Sequence, residues 1–211
     1  WARGMKHLVW IALAAACGGG HATPDAARDA AAPDAGPFVE APHGTAPQVV
    51  SGGGAVLATP KVVPIFFAGD GTIEPEAEHF LQMLVGSSYW ATTTSEYGVG
   101  AIAIANSIVT TDPPPATDAD LQTWLASQLD GTHAAWTYDP SAIYAVFLPD
   151  GAMLSTPFGN SCEAFGGYHD ETMNASGKIV YALMPRCNND DLNSLTVVTS
   201  HELIEASTDP H

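Results

Sequence analysis

Positive charge is what this sequence has least of. Six Lys and Arg stand against 23 Asp and Glu in 211 residues, a formal net charge of −17 at pH 7. So acidic a chain repels a phosphate backbone, which excludes nucleic acid as a partner and favours cations, calcium among them. Cysteine is almost as scarce, with Cys17, Cys162 and Cys187 making up the total of three. There is no Gly-rich phosphate loop and no Gly-x-Ser-x-Gly elbow, so the usual signatures of nucleotide binding and of serine hydrolases are missing. The apolar run at the start, Leu8 to Ala16, is too short for a permanent membrane-spanning helix.

That run has a purpose of its own. Trp1 to Gly4 reads as upstream translation, and from Met5 the chain shows Lys6, the apolar run, and small residues Ala14-Ala15-Ala16 before Cys17. The pattern predicts a signal peptide over 1–17 with Cys17 as a lipidated lipobox cysteine; cleavage at Ala16 as an ordinary secretory signal is the alternative. Loss of residues 1–16 leaves four basic residues against 23 acids, a balance of −19. Residues 18–47 are rich in Ala, Pro, Asp and Gly and cannot offset their ordering entropy, so a flexible linker is expected. The expected locale is outside the cytoplasm, on a bacterial outer or cell-surface membrane reached only through the lipid.

Residues 48–211 suffice for one folded domain with a real core. Val49-Val50 and Ala55-Val56-Leu57 suggest a short strand pair. Val62 to Phe67 reads as a strand, with Pro64 pointing to an edge or a bulge. Pro75 opens a helix through Phe80, Leu81, Leu84 and Val85, and Ser87 to Tyr97 a shorter one, with Tyr89 and Trp90 expected in the core. Val99 to Val109 alternates as a long strand. Thr117 caps a helix carrying Leu121, Trp124, Leu125 and Leu129 that Gly131 ends. Ile143 to Leu148 and Lys178 to Met184 are apolar strands, the first central. The expected fold class is α/β (α+β): a mixed sheet with a C-terminal motif helix packed beneath it.

That last helix, from about Asp191 to Ser207, carries the chemistry. Asn188 to Asp191 provide its cap, a use that competes with calcium binding. His201 and Glu205 stand four residues apart on one face, and Glu202 lies roughly 100° round from His201. Few basic residues exist to neutralise these carboxylates, and a divalent metal would do it. The pattern is the His-Glu-x-x-His of zinc peptidases with Glu205 in the place of the second His, and carboxylate oxygen is an accepted zinc ligand. It predicts His201 and Glu205 as zinc ligands, Glu202 as the base, and His211, ten residues after His201, as a third ligand.

The run His201 to Pro210 resembles the His-Glu-Leu-x-Glu-x-x-(Thr/Ser)-(Asp/Asn)-Pro segment of the phosphate-induced, EXORDIUM-like secreted proteins and their bacterial relatives. Gly166-Gly167-Tyr168-His169 resembles their Cys-Gly-Tyr-His element. The resemblance implies a secreted, zincin-like domain that is truncated after the motif helix, with a third ligand from His211 or from a segment beyond it.

Once Cys17 is lipidated, Cys162 and Cys187 are left to pair, as cysteines of exported proteins do. Their bridge would hold His169 and Glu163 near the motif helix. His169 then reads either as a site residue or as a loop histidine bonded to backbone. His79 and His133 read as surface positions. The expected activity is an exported zinc metallohydrolase, a peptidase attacking peptide or cell-surface substrates with metal-activated water. The alternative is a non-catalytic cell-surface binding or signalling module of the EXORDIUM-like type.

Overall fold

A computed structural model describes residues 44, 52–71, 73–187 and 192–210. The expected signal peptide with Cys17, the linker apart from Gly44, Val49-Val50, the Asn188 to Asp191 cap and His211 lie outside the described residues. The chain divides into two units, Trp1–Val49 and Val50–His211, and every helix and strand described belongs to the second.

In chain order these are β1 (Lys61–Phe67), α1 (Glu74–Leu84), α2 (Ser88–Thr94), β2 (Ala103–Ile104), β3 (Ile108–Thr110), α3 (Asp118–Gln128), β4 (Ala142–Phe147), β5 (Ser155–Thr156), β6 (Gly159–Asn160), β7 (Tyr168–Asn174), β8 (Gly177–Met184) and α4 (Leu192–Thr208). The main sheet runs β2-β1-β4-β8-β7, with β3 sharing the β2 side of β1. All its pairings are parallel except β7 with β8, which is antiparallel. The protein is therefore a mixed α/β fold with its last helix C-terminal, as the alternation of strand and helix patterns predicts.

Two apolar clusters explain why the inner strands are apolar past Lys61 and Lys178 near their starts. Alternate residues point to opposite faces of a sheet. Val62, Phe66, Ile143, Phe147, Val180 and Met184 face α1, α2 and α4. Val63, Ile65, Phe67, Tyr144, Val146 and Leu183 face α3. A strand covered on both sides has no polar face to show, and β4 is buried at every position.

Three expectations change. Pro64 does not mark an edge, because β1 is paired on both sides. Ala103 N–H donates to Pro60 O, Ala105 N–H to Val62 O and Ala68 N–H to Thr110 O, so the even-numbered residues of this strand direct their backbone groups to the β2/β3 side. Pro64 falls between the β2 register at Lys61-Val62 and the β3 register at Ile65 to Phe67. Its missing N–H thus costs no ladder bond. The long strand expected over Val99 to Val109 is broken at that place into β2 and β3. Ala55-Val56-Leu57 forms no strand; Leu57 N–H donates instead to Ser207 O of α4 at 2.8 Å.

The aromatic expectation divides. Trp90 is buried and its indole donates to Gly100 O at 2.9 Å, whereas Tyr89 is half-exposed. Thr117 caps α3 by accepting from Asp120 N–H. His79 and His133 are exposed. Among the described residues no helix is long and apolar enough to cross a membrane.

Candidate metal centre

The motif helix is α4, and its faces differ in chemistry. Leu195, Thr199, Glu202, Leu203 and Ala206 are buried toward the sheet. Thr199 and Ser207 satisfy their hydroxyls on the carbonyls of Leu195 and Leu203, so polar side chains are tolerated on that buried face. Among the described residues Glu202 is the one ionisable group on it, with its side chain only 6 % exposed. Glu205 is 47 % exposed and His201 53 %.

The partner of Glu202 is His169, the second residue of β7. The register pairs His169 with Ala182 and Tyr168 with Leu183, which turns His169 toward α4 and Tyr168 toward α3. Glu202 and Glu205 stand at i and i+3 on α4, Asp209 just past its end continues their stripe at i+7 with its N–H on Glu205 O, and His169 meets all three. His169 Nδ1 lies 3.5 Å from Glu202 Oε2 and 3.5 Å from Glu205 Oε2, and its Nε2 lies 3.2 Å from Asp209 O.

This last contact sets the tautomer. A carbonyl can only accept, so Nε2 carries the hydrogen and donates to Asp209 O. In the neutral ring the Nδ1 lone pair therefore points between the two carboxylates, the arrangement that orients metal-ligating histidines. Without a metal, a proton serves at the same place. Burial of His169 disfavours its charge, but the hydrogen bond and charge of Glu202, then Glu205 and the Asp209 carbonyl, outweigh this and raise its pKa above the ordinary histidine value.

His169, Glu202 and Glu205 offer one ligand atom each within 4.8 Å of one another, a group that can hold a metal ion. One imidazole nitrogen and two carboxylate oxygens suit a divalent cation. Gly167 makes the approach possible. A Cβ at that position would lie 2.5 Å from Val198 Cγ1 and 3.0 Å from Glu202 Oε1, so any side chain would push α4 off β7.

His201 stands beside this group. Its Nε2 is 3.3 Å from Glu205 Oε1, so Glu205 turns one oxygen to each histidine. His201 also borders an open cleft of about 640 Å³ between α4 and the α1–α2 region, with Phe80, Tyr89, Tyr97, Ile204 and Glu205. Glu163 accepts from Asn160 Nδ2 and is not in the group.

Two further features fix β7. Tyr168 and Tyr181 both donate their hydroxyls to Asp118 Oδ1, at 2.6 and 2.7 Å, while Gln122 Nε2 donates to Asp118 Oδ2 at 2.8 Å. Burial first pushes both phenols far above their ordinary range; the charge of Tyr181 and then the bond and charge of Asp118 add to this at Tyr168, the bond and charge of Asp118 at Tyr181, and both stay neutral donors. The Cys162–Cys187 disulfide ties the loop before β7 to the segment after β8, with Cα atoms 5.0 Å apart. The expected pairing is thus present. Cys162 holds its end in the left-handed region, with φ of 66°.

β7 is hidden in the sequence, since Tyr-His-Asp-Glu-Thr-Met-Asn shows no apolar alternation and reads as loop. The Gly-Gly-Tyr-His element was the available signal. Comparison with family models, curated proteins and solved structures gives no match to this chain.

Proposed function

We propose that this chain is an exported zinc-dependent hydrolase, most simply a peptidase, with His169, Glu202 and Glu205 as the metal ligands. The observation that carries this reading is the convergence of those three groups from β7 and α4. Charge balance supports it. Residues 52–211 contain three basic side chains, and each is engaged elsewhere: Lys61 with Asp139 at 3.3 Å, Lys178 with Glu171 at 2.8 Å, and Arg186 with Asp70. A buried carboxylate at Glu202 beside a second at Glu205 is left with imidazole, or a metal, for compensation.

When bound, a divalent ion there supplies Lewis acidity, polarising a carbonyl and acidifying water. The chain supplies the rest. Asp209 O and the Tyr168–Asp118 contact orient His169, and the sheet keeps bulk water from Glu202. His201 at the cleft edge is the group placed to move a proton, because it is exposed and touches Glu205. This exchanges the roles read from spacing: Glu202 moves from base to ligand, and His201 from ligand to proton carrier.

Export through a signal peptide and lipidation at Cys17 belong to the same proposal, supported by the disulfide, a bond typical of oxidising compartments. The resemblance to EXORDIUM-like proteins gives the scaffold a zincin-like reading. A second reading has its own observation. The His169 ring already makes contacts at both nitrogens, so the group can close on itself as a structural pin of a non-catalytic surface module. Hydrolysis of a broad peptide library by zinc-loaded protein, suppressed by chelator and restored by zinc, is the expected result. Zinc-replete protein that cleaves nothing favours the module.

A further inference from the structure

The cleft beside the metal group has a composition that selects its occupant, and the choice of a peptide as that occupant rests on the hydrolase reading. Its walls carry the rings of Phe80, Tyr89 and Tyr97, two of them half-exposed, with His201 and Glu205 at the end nearest the group. Among the described residues no Lys or Arg lines it. Four hydroxyls in the walls have their hydrogens committed to their own helices: Thr93 to Tyr89 O at 2.8 Å, Thr196 to Asn193 O at 2.9 Å, Ser200 to Val197 O at 2.9 Å and Thr208 to Ile204 O at 3.0 Å. Each such oxygen keeps lone pairs and offers no further donor. The cleft thus presents π faces, acceptor oxygens and a carboxylate, beside the phenol hydroxyls of Tyr89 and Tyr97, in a chain of net charge −17.

A group that donates and carries positive charge matches the rings, the acceptor oxygens and the carboxylate together. We propose that the cleft is a subsite for a Lys or Arg side chain of a peptide substrate, held over Tyr89 and Tyr97 and directed at Glu205. Guanidinium and ammonium are attracted to aromatic faces, and Arg stacks on them as well. A neutral sugar would stack on the rings but bring no positive charge to Glu205. An aliphatic side chain would leave the carboxylate end unmatched. Continuity through Glu205 and His201 puts the backbone of such a peptide next to the metal group.

The test reads binding, not turnover. Full-length protein treated with chelator is titrated calorimetrically with the blocked tripeptides acetyl-Ala-Arg-Ala-amide and acetyl-Ala-Leu-Ala-amide. The Arg peptide should bind about 10-fold more tightly. The double variant Tyr89→Ala/Tyr97→Ala should lose that preference while taking up zinc like the wild type. Both tyrosines are half-exposed and the charge is unchanged, so folding and overall attraction are controlled. Equal or tighter binding of the Leu peptide would overturn the subsite. So would a preference that survives in the double variant, since that reports only the net charge, or a neutral oligosaccharide that binds in the peptide's stead. A wild type that takes up no zinc but keeps the Arg preference defeats the hydrolase reading and leaves the subsite standing. Zinc uptake without the preference defeats the subsite alone.

Discussion

Gly167 and Glu202 stand so close that residue 167 can have no side chain: a Cβ there would come within 3.0 Å of Glu202 Oε1 and 2.5 Å of Val198 Cγ1. The backbone carbonyl of Leu183, 3.1 Å from the same point, blocks the other direction. Gly167→Ala should therefore force α4 away from β7. Overpacking of this kind costs about 1–3 kcal/mol. Thermal unfolding should fall by several degrees, and zinc affinity should fall with it because Glu202 moves relative to His169. Unchanged affinity together with unchanged stability would mean that the two elements are not held as described.

The metal-free protein should lose stability as pH rises through the neutral range. His169 has a folded pKa above its unfolded value of about 6.5, despite its burial, because Glu202 and Glu205 favour the imidazolium. Its contribution is fully present below about pH 6.5 and disappears as pH passes the raised folded value. Urea unfolding in chelator from pH 5.5 to 9 measures this. His169→Gln should flatten that slope; the same slope in the variant would assign the effect to another group. Added zinc should reverse the trend, since the ion needs His169 deprotonated.

Reduction of the Cys162–Cys187 bridge, which closes a separation of 25 residues, should cost about 3 kcal/mol. The denaturant midpoint reports the loss, and the Cys162→Ser/Cys187→Ser variant should reproduce it. The zinc affinity of the reduced protein should also drop, because His169 follows the loop that the bridge anchors. Reduction that leaves both quantities unchanged contradicts that role.

Much of the framework is legible in the sequence. Past Lys61 and Lys178 the inner strands are apolar because helices cover both faces, and α4 is readable because nothing interrupts Leu192 to Thr208. What escapes is set by tertiary context. Pro64 looks like an edge marker, but the break between β2 and β3 leaves nothing for its N–H to bond. β7 is polar because it lies at the edge beside the carboxylate face of α4, so its strand character depends on pairing with β8 that no local pattern announces. The motif spacing correctly brings His201 and Glu205 together, at 3.3 Å. It cannot tell that Glu202 is the buried member, nor that the imidazole facing it comes from a strand 33 positions earlier in the chain, at His169.

The metal centre is tested most directly by zinc stoichiometry after equilibrium dialysis at pH 7.5, measured by elemental analysis on wild type, His169→Ala and His201→Ala. The expected result is one zinc on the wild type, retained by His201→Ala and lost by His169→Ala, because His169 Nδ1 is aimed at both carboxylates and His201 meets only the outer oxygen of Glu205. A wild type that carries no zinc, or zinc that survives in His169→Ala and disappears in His201→Ala, would contradict the account.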